Sequence, residues 1–100
     1  MTPSDFRAST SSSAPPAGLS GPLQALWWAE KGDWDRAHRI VQNEDSAEAA
    51  WVHAYLHRVE GDLANARYWY RQATRTPANG PLPEEWEAIA GALLGGESKT

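Results

Sequence analysis

Two segments, "KGDWDRAHRIVQ" (31–42) and "EGDLANARYWYR" (60–71), repeat one pattern of charged-Gly-Asp-apolar-x-x-Ala, with glycines 29 residues apart. Glycine reaches, without steric penalty, the left-handed backbone that closes a helix. The aspartate behind it accepts hydrogen bonds from the free N–H groups of the next helix and faces that helix's positive end. Each Gly-Asp pair therefore predicts a tight corner between two antiparallel helices.

Five helices follow from these corners and the other breaks in the chain. The first is expected over about 22–31, opening on Pro22, and the second over about 34–43 behind Asp33. A third, over about 46–60, follows "DSAE" (45–48), which offers a capping box from Asp45 to Glu48. The fourth runs over about 63–75 behind Asp62 and is stopped by Pro77. A fifth, over about 84–94, places Trp86, Ile89, Ala90 and Leu93 on one face and ends at Gly95-Gly96. No segment alternates with period two, so the predicted class is all-α.

One hundred residues allow a single small domain, and six tryptophans between residues 27 and 86 supply the large rings such a core needs. With no cysteine, disulfides and thiolate zinc sites are excluded, and nothing argues for an oxidising compartment; a cytoplasmic location is expected. A net charge of −4 argues against non-specific affinity for nucleic acid or anionic membranes. The longest apolar stretch, "ALWWA", falls far short of the ~20 residues that span a bilayer. Of the first 22 residues, 17 are Ser, Thr, Ala, Pro or Gly. Such a composition buries too little surface to offset its ordering entropy. Residues 1–21 are therefore expected to be a disordered arm, 22–96 the helical domain and 97–100 a tail.

The repeated corners resemble the tetratricopeptide repeat, a helical hairpin of about 34 residues. Residues 47–77 carry the resemblance through Ala47, Ala54, Gly61-Asp62, Leu63, Ala66, Tyr70, Ala73 and Pro77. The proline falls about one residue early against that pattern. Residues 22–43 match through Ala25, Gly32-Asp33, Trp34 and Ala37, and the 29-residue spacing marks a shortened link. The string "AWVHAYLHR…NARYWYR" also resembles small bacterial proteins without an assigned activity. What the resemblance implies is a short stack of about five antiparallel helices, the last covering the face left open by the final hairpin. Fold alone assigns no function.

His53 and His57 lie one helical turn apart, with Glu60 a turn beyond. One reading makes these three a metal site, since i, i+4 imidazoles share a helix face. "HAYLH" lacks the glutamate of the HExxH motif, and His38 is the only other imidazole in the chain. The preferred reading is that both rings are half-buried packing, satisfied by hydrogen bonds to neighbours. No cofactor is expected. Nor does any Gly-x-Ser-x-Gly elbow or phosphate-cradling glycine loop occur, and this disfavours an enzyme.

Glu48, Trp51, Tyr55 and Arg58 form a stripe at i, i+3, i+7, i+10. In the register that the resemblance implies, this stripe looks toward the ligand-binding side, extended by Leu26 and Glu30. Tryptophan, tyrosine and arginine are the residue types enriched at binding hot spots. Trp51 and Tyr55 could equally pack on the first helix, leaving only Arg58 wet. Arg67, Arg71 and Arg75, interleaved with Tyr68, Trp69 and Tyr70, could stack on single-stranded nucleic acid. Their small number and the acidic balance instead favour a solvated face, or pairing with Glu84, Glu85 and Glu87. The functional expectation is a non-catalytic interaction module. It would bind a peptide or protein, or a second copy, through Trp51, Tyr55 and Arg58, with Asn65 and Trp69 nearby.

Overall fold

The computed structural model describes residues 1–96, and the expected tail 97–100 lies outside them. In chain order the elements are α1 (Pro3–Ala8), a 3-10 turn (Ser9–Ser11), α2 (Gly21–Glu30), α3 (Trp34–Gln42), α4 (Ala47–Glu60), α5 (Leu63–Ala73) and α6 (Leu82–Gly96). The described residues contain no strand.

Both Gly-Asp corners close in the same way. Gly32 and Gly61 hold φ of 90° and 88°. At the first corner Gly32 N–H donates to Ala29 O (3.0 Å) and Asp33 N–H to Trp28 O (2.9 Å). At the second, Gly61 N–H donates to Arg58 O (3.0 Å) and Asp62 N–H to His57 O (2.9 Å). These paired bonds satisfy the last carbonyls of α2 and α4. Asp33 then accepts from Arg36 N–H at 3.2 Å, and Asp62 from Asn65 N–H at 3.3 Å. The hairpins α2/α3 and α4/α5 result.

The third helix departs from expectation at its start. Its cap is Ser46, not Asp45: the hydroxyl accepts from Ala49 N–H at 3.0 Å and donates to Glu44 at 3.1 Å. Ser46 has the extended backbone a cap needs, so Glu48 falls one position too early to close the box. The last helix begins two residues earlier than expected, at Leu82.

Helix α4 is the centre of the molecule. All nine residues from Ala49 to His57 are buried, and the helix packs against α2, α3, α5 and α6. A helix buried all round belongs to a core, not to the wall of a groove. Ala54 and Ala66 are 0% and 1% exposed, and such small side chains let α4 and α5 approach closely. Helix α6 lies against α4, α2 and α1, and its backbone does not approach that of α5. Its Trp86, Ile89, Ala90 and Leu93 form the buried face that their spacing predicts.

The N-terminal segment is not the solvated arm that its composition suggests. Thr2 and Asp5 close a capping box (Asp5 N–H to Thr2 Oγ1, 3.1 Å; Thr2 N–H to Asp5 Oδ2, 3.3 Å), with Pro3 in the first turn. Phe6 is fully buried and stacks on Trp86, with centroids 5.4 Å apart and planes at 15°. Averaging over 22 residues, 17 of them Ser, Thr, Ala, Pro or Gly, hides one phenylalanine, and one phenylalanine is enough to dock a six-residue helix.

A third corner, after α5, uses the same bonds but the wrong residue. Thr74 N–H donates to Arg71 O (3.0 Å) and Arg75 N–H to Tyr70 O (2.9 Å), with Thr74 at φ 59°. A β-branched side chain in left-handed backbone costs about 1–2 kcal/mol, and glycine returns part of that gain through its larger unfolded-state entropy. Thr74→Gly is expected to stabilise the fold by about 0.5–1 kcal/mol, raising the melting temperature by roughly 2–8 °C in a domain of this size. Thermal unfolding followed by circular dichroism measures it.

Candidate functional site

The residues expected to bind a partner separate into two groups. Trp51 and Tyr55 are 8% and 6% exposed, so they are core rather than a recognition stripe. The Arg75 guanidinium lies over the Trp51 ring, 3.4 Å from its centroid. Burial, with Glu30 and Glu85 adding to it, pushes the Tyr55 phenol up to about 12. Arg58 is turned inward: Nη1 donates to Glu85 Oε1 at 2.6 Å and Nη2 to Gly80 O at 2.7 Å. The other oxygen of Glu85 accepts a short hydrogen bond from the Tyr70 hydroxyl. Burial, then that same bond, drives the Tyr70 phenol well above its ordinary range. Arg58 thus joins α4 to α6 and to the 74–81 loop. Arg67 and Arg71 of α5, and Arg75 just beyond it, do not pair with the acids of α6: Arg71 lies 5.9 Å from the Tyr68 ring centroid, Arg75 covers Trp51, and Glu85 goes to Arg58. Asn65 stays at its own corner, where Nδ2 donates to Asp62 at 3.4 Å.

Trp69 belongs to the second group, and it leads to the histidines. Its ring stacks on His53, with centroids 3.9 Å apart and planes at 11°. His53 and His57 project from α4 toward α3, where His38 meets them. His38 Nε2 and His53 Nε2 are 3.0 Å apart. The His38–His57 and His53–His57 ring centroids are 5.5 Å and 5.0 Å apart. One ring nitrogen from each of the three lies within 4.8 Å of the others. Trp34, one turn before His38 on α3, stacks on it at 4.7 Å and is fixed in turn by its Nε1–H bond to Leu56 O at 2.7 Å. Two tryptophans therefore flank the cluster, Trp34 against His38 and Trp69 against His53.

Glu60 does not take the place expected of it as a third ligand beside His53 and His57. Its Oε2 lies 2.7 Å from His57 Nδ1 and accepts a hydrogen bond from it; in the neutral ring that leaves the lone pair on Nε2. His38 supplies the third imidazole. It sits on a different helix 15 residues from His53, and no spacing rule for a single helix finds it.

The protonation states follow from burial. His53 is 4% exposed; burial, and then the neighbouring His38 and His57, lower it to about 4. His38 is lowered by burial and by His57, against smaller opposing effects of Glu60 and Asp35. Both rings are neutral at pH 7, so the 3.0 Å contact between their Nε2 atoms carries a single proton. His53 Nδ1 is buried and has no hydrogen-bond partner. The expectation of packing histidines satisfied by neighbours thus fits His57 and one nitrogen of His53, but not the other nitrogen.

No family model, curated protein or solved structure matches this chain. No helix among the described residues is long and apolar enough to cross a membrane.

Two outcomes follow from this geometry. Removing Arg58 leaves Glu85, whose side chain is 5% exposed, as a buried carboxylate without its cation. Arg58→Ala is expected to cost about 3 kcal/mol in urea unfolding, and adding Glu85→Gln to recover a good part of it, since tyrosine can still bond to the amide. The second concerns acid. Between pH 6.5 and about 4 the unfolded chain takes a proton that folded His53 refuses. Stability is therefore full above pH 6.5 and is lost as pH falls toward 4, by on the order of 2–3 kcal/mol. Urea titrations in chelator across this range should show the loss, and His53→Leu should flatten it.

Proposed function

We propose that this domain binds one divalent transition-metal ion through His38, His53 and His57, with Glu60 orienting His57. The observation that carries the reading is the convergence of three imidazoles from two hairpins, one nitrogen of each within 4.8 Å of the others. A tetrahedral ion held at 2.0–2.1 Å needs donor atoms about 3.3 Å apart. The His38–His53 pair, at 3.0 Å, is already near that separation, and closure asks the His57 nitrogen, within 4.8 Å of both, to draw in. A ligating histidine that donates its other N–H to a carboxylate is the usual outer-shell arrangement, and the Glu60 contact provides it for His57. Neutral imidazoles without thiolate or thioether neighbours suit Zn²⁺, Cu²⁺ and Ni²⁺ and favour Cu²⁺ among them. Three protein ligands leave a position for a water or an exogenous donor. Binding is the extent of the proposal, and no reaction is attached to it.

Because His38 belongs to one hairpin and His53 and His57 to the other, an ion would clamp the two together. In a chain without disulfides that is a direct gain in folding stability. The stack of α2/α3 on α4/α5 supports a tetratricopeptide-like reading of this part, with α6 turned aside onto α2 and α1. A second reading, partner docking, is favoured by one feature: an open cleft of about 470 Å³ where Trp51, Arg75 and Glu84 meet the 76–81 loop.

Calorimetric titration of the chelator-treated protein with Zn²⁺ and with Cu²⁺ at pH 7.5 tests the proposal. One ion per chain is expected, with a rise in melting temperature, and Cu²⁺ should quench Trp34 and Trp69 emission. His53→Ala and His38→Ala should abolish uptake, and Glu60→Gln should weaken it by about 10–100-fold. Absence of uptake, or uptake unchanged in a His38→Ala/His53→Ala variant, would overturn it.

A further inference from the structure

The N-terminal helix α1 occupies a groove between α2 and α6, and the way it is held sets it apart from the rest of the core. Phe6 is its only buried residue. Around that anchor the contacts are largely polar, and they range from part-buried to exposed. Arg7 spreads over the Trp86 ring at 4.6 Å, reaches Glu30 at 3.7 Å and donates to Pro83 O at 3.3 Å. Trp27 Nε1–H donates to Ser9 Oγ at 3.0 Å, and Lys31 Nζ donates to Ser12 O at 2.8 Å. At the far end Pro3 Cγ lies 3.5 Å from where a Cβ on Gly91 would sit, an ordinary van der Waals distance, so α1 packs closely on α6 there without depending on the glycine.

Six residues are too few to hold a helix together in water, so α1 exists only while docked. The segment that ties it to α2, residues 12–20, has no helix or strand and reads "SSAPPAGLS". A segment anchored by one side chain on a linker of this kind is drawn from the low-stability end of a domain. When it leaves, it uncovers a flat tryptophan face with an indole N–H beside it and a carboxylate on the rim. That surface takes an aromatic ring followed directly by a guanidinium.

We propose that the α2/α6 groove is a receptor for a short helix of a partner protein presenting an aromatic–arginine pair, and that α1 is its resident mimic, which must leave before the partner docks. The groove's chemistry is read from the side chains that fill it: Phe6 for the ring, Arg7 for the cation. The proposal is independent of the histidine cluster, which faces α3 and α5, and neither depends on the other.

The probe is a fluorescent peptide of residues 1–12, added to the full chain and to its Phe6→Ala variant. Saturable binding to Phe6→Ala, at least about 10-fold tighter than to the unaltered chain whose own helix competes, is expected. The same peptide carrying Phe6→Ala should not bind, and one carrying Arg7→Ala should bind several-fold more weakly. Equal binding to both proteins, or none to either, would overturn the proposal. Hydrogen exchange on the unaltered chain decides independently, should the variant not fold. Amides of residues 5–8 are expected to exchange at least about 100-fold faster than those of α4. Equal protection would make α1 an ordinary part of the core and end the proposal. Phe6-dependent dimers in light scattering would also overturn it, giving the groove to the helix of a second copy.

Discussion

A helix surrounded on all sides loses stability for each polar group it buries without a partner inside the protein. Helix α4 is in this position, enclosed by α2, α3, α5 and α6, yet its sequence includes two histidines, a tyrosine and an arginine. An unpaired buried polar group costs about 1–3 kcal/mol and a charged one more. The neighbours of α4 therefore had to bring matching groups. His38 on α3, and Glu85 with Tyr70 on α6 and α5, are those groups. The two polar networks are consequences of one buried helix, and they fix which elements can sit beside it.

The two networks act differently. Arg58, Glu85 and Tyr70 form a closed set in which each oxygen of Glu85 has a donor, and the remaining arm of Arg58 is taken by Gly80 O. A set in which both carboxylate oxygens and both Nη atoms are bonded within the protein is structural. It aligns α6 across α4 and pins the loop before it, which is why α6 turns onto α2 and α1 and does not continue the stack against α5. The histidine cluster is open by comparison. It shares one proton between two rings and leaves a buried nitrogen without a partner. A core built only for packing would place leucine and an aromatic ring there at lower cost. An unfilled buried nitrogen beside three convergent imidazoles is what distinguishes a candidate ligand site from a filled core.

Much of the backbone was legible in the sequence because its signals are local. Gly32-Asp33 and Gly61-Asp62 each contain the left-handed residue and the cap of the following helix, so two hairpins could be read without any knowledge of packing. Trp86, Ile89, Ala90 and Leu93 gave the inner face of α6 in the same way. What could not be read depends on partners distant in the chain. The stripe of Trp51, Tyr55 and Arg58 has the composition of a recognition surface and of a core in equal measure; only the path of α6, set by Glu85 some 27 residues from Arg58, decides between them. His38 was visible as a residue but not as a neighbour of His53, because α3 and α4 meet through tertiary packing. Helix α1 was missed for the opposite reason. Thr2, Pro3 and Asp5 are local helix-start signals, but the Ser, Ala and Pro content of the surrounding segment outweighed them.

The orphan nitrogen of His53 also bears on how tightly an ion could be held. With no ion, His53 is best protonated on Nε2 and donates to His38 Nε2, because a buried lone pair at Nδ1 costs less than a buried N–H. Coordination through His53 Nε2 reverses this arrangement: the proton must move to Nδ1, which is buried without an acceptor. His57 suffers no such penalty, since Glu60 already holds its Nδ1 proton. One ligand is thus fully prepared and another must be re-tautomerised against an opposing cost of about 1–3 kcal/mol, a factor of roughly 5–150 in affinity. An ion in this site would be held more weakly than in a three-histidine site whose every ring has an outer-shell acceptor. It would exchange rather than remain permanently.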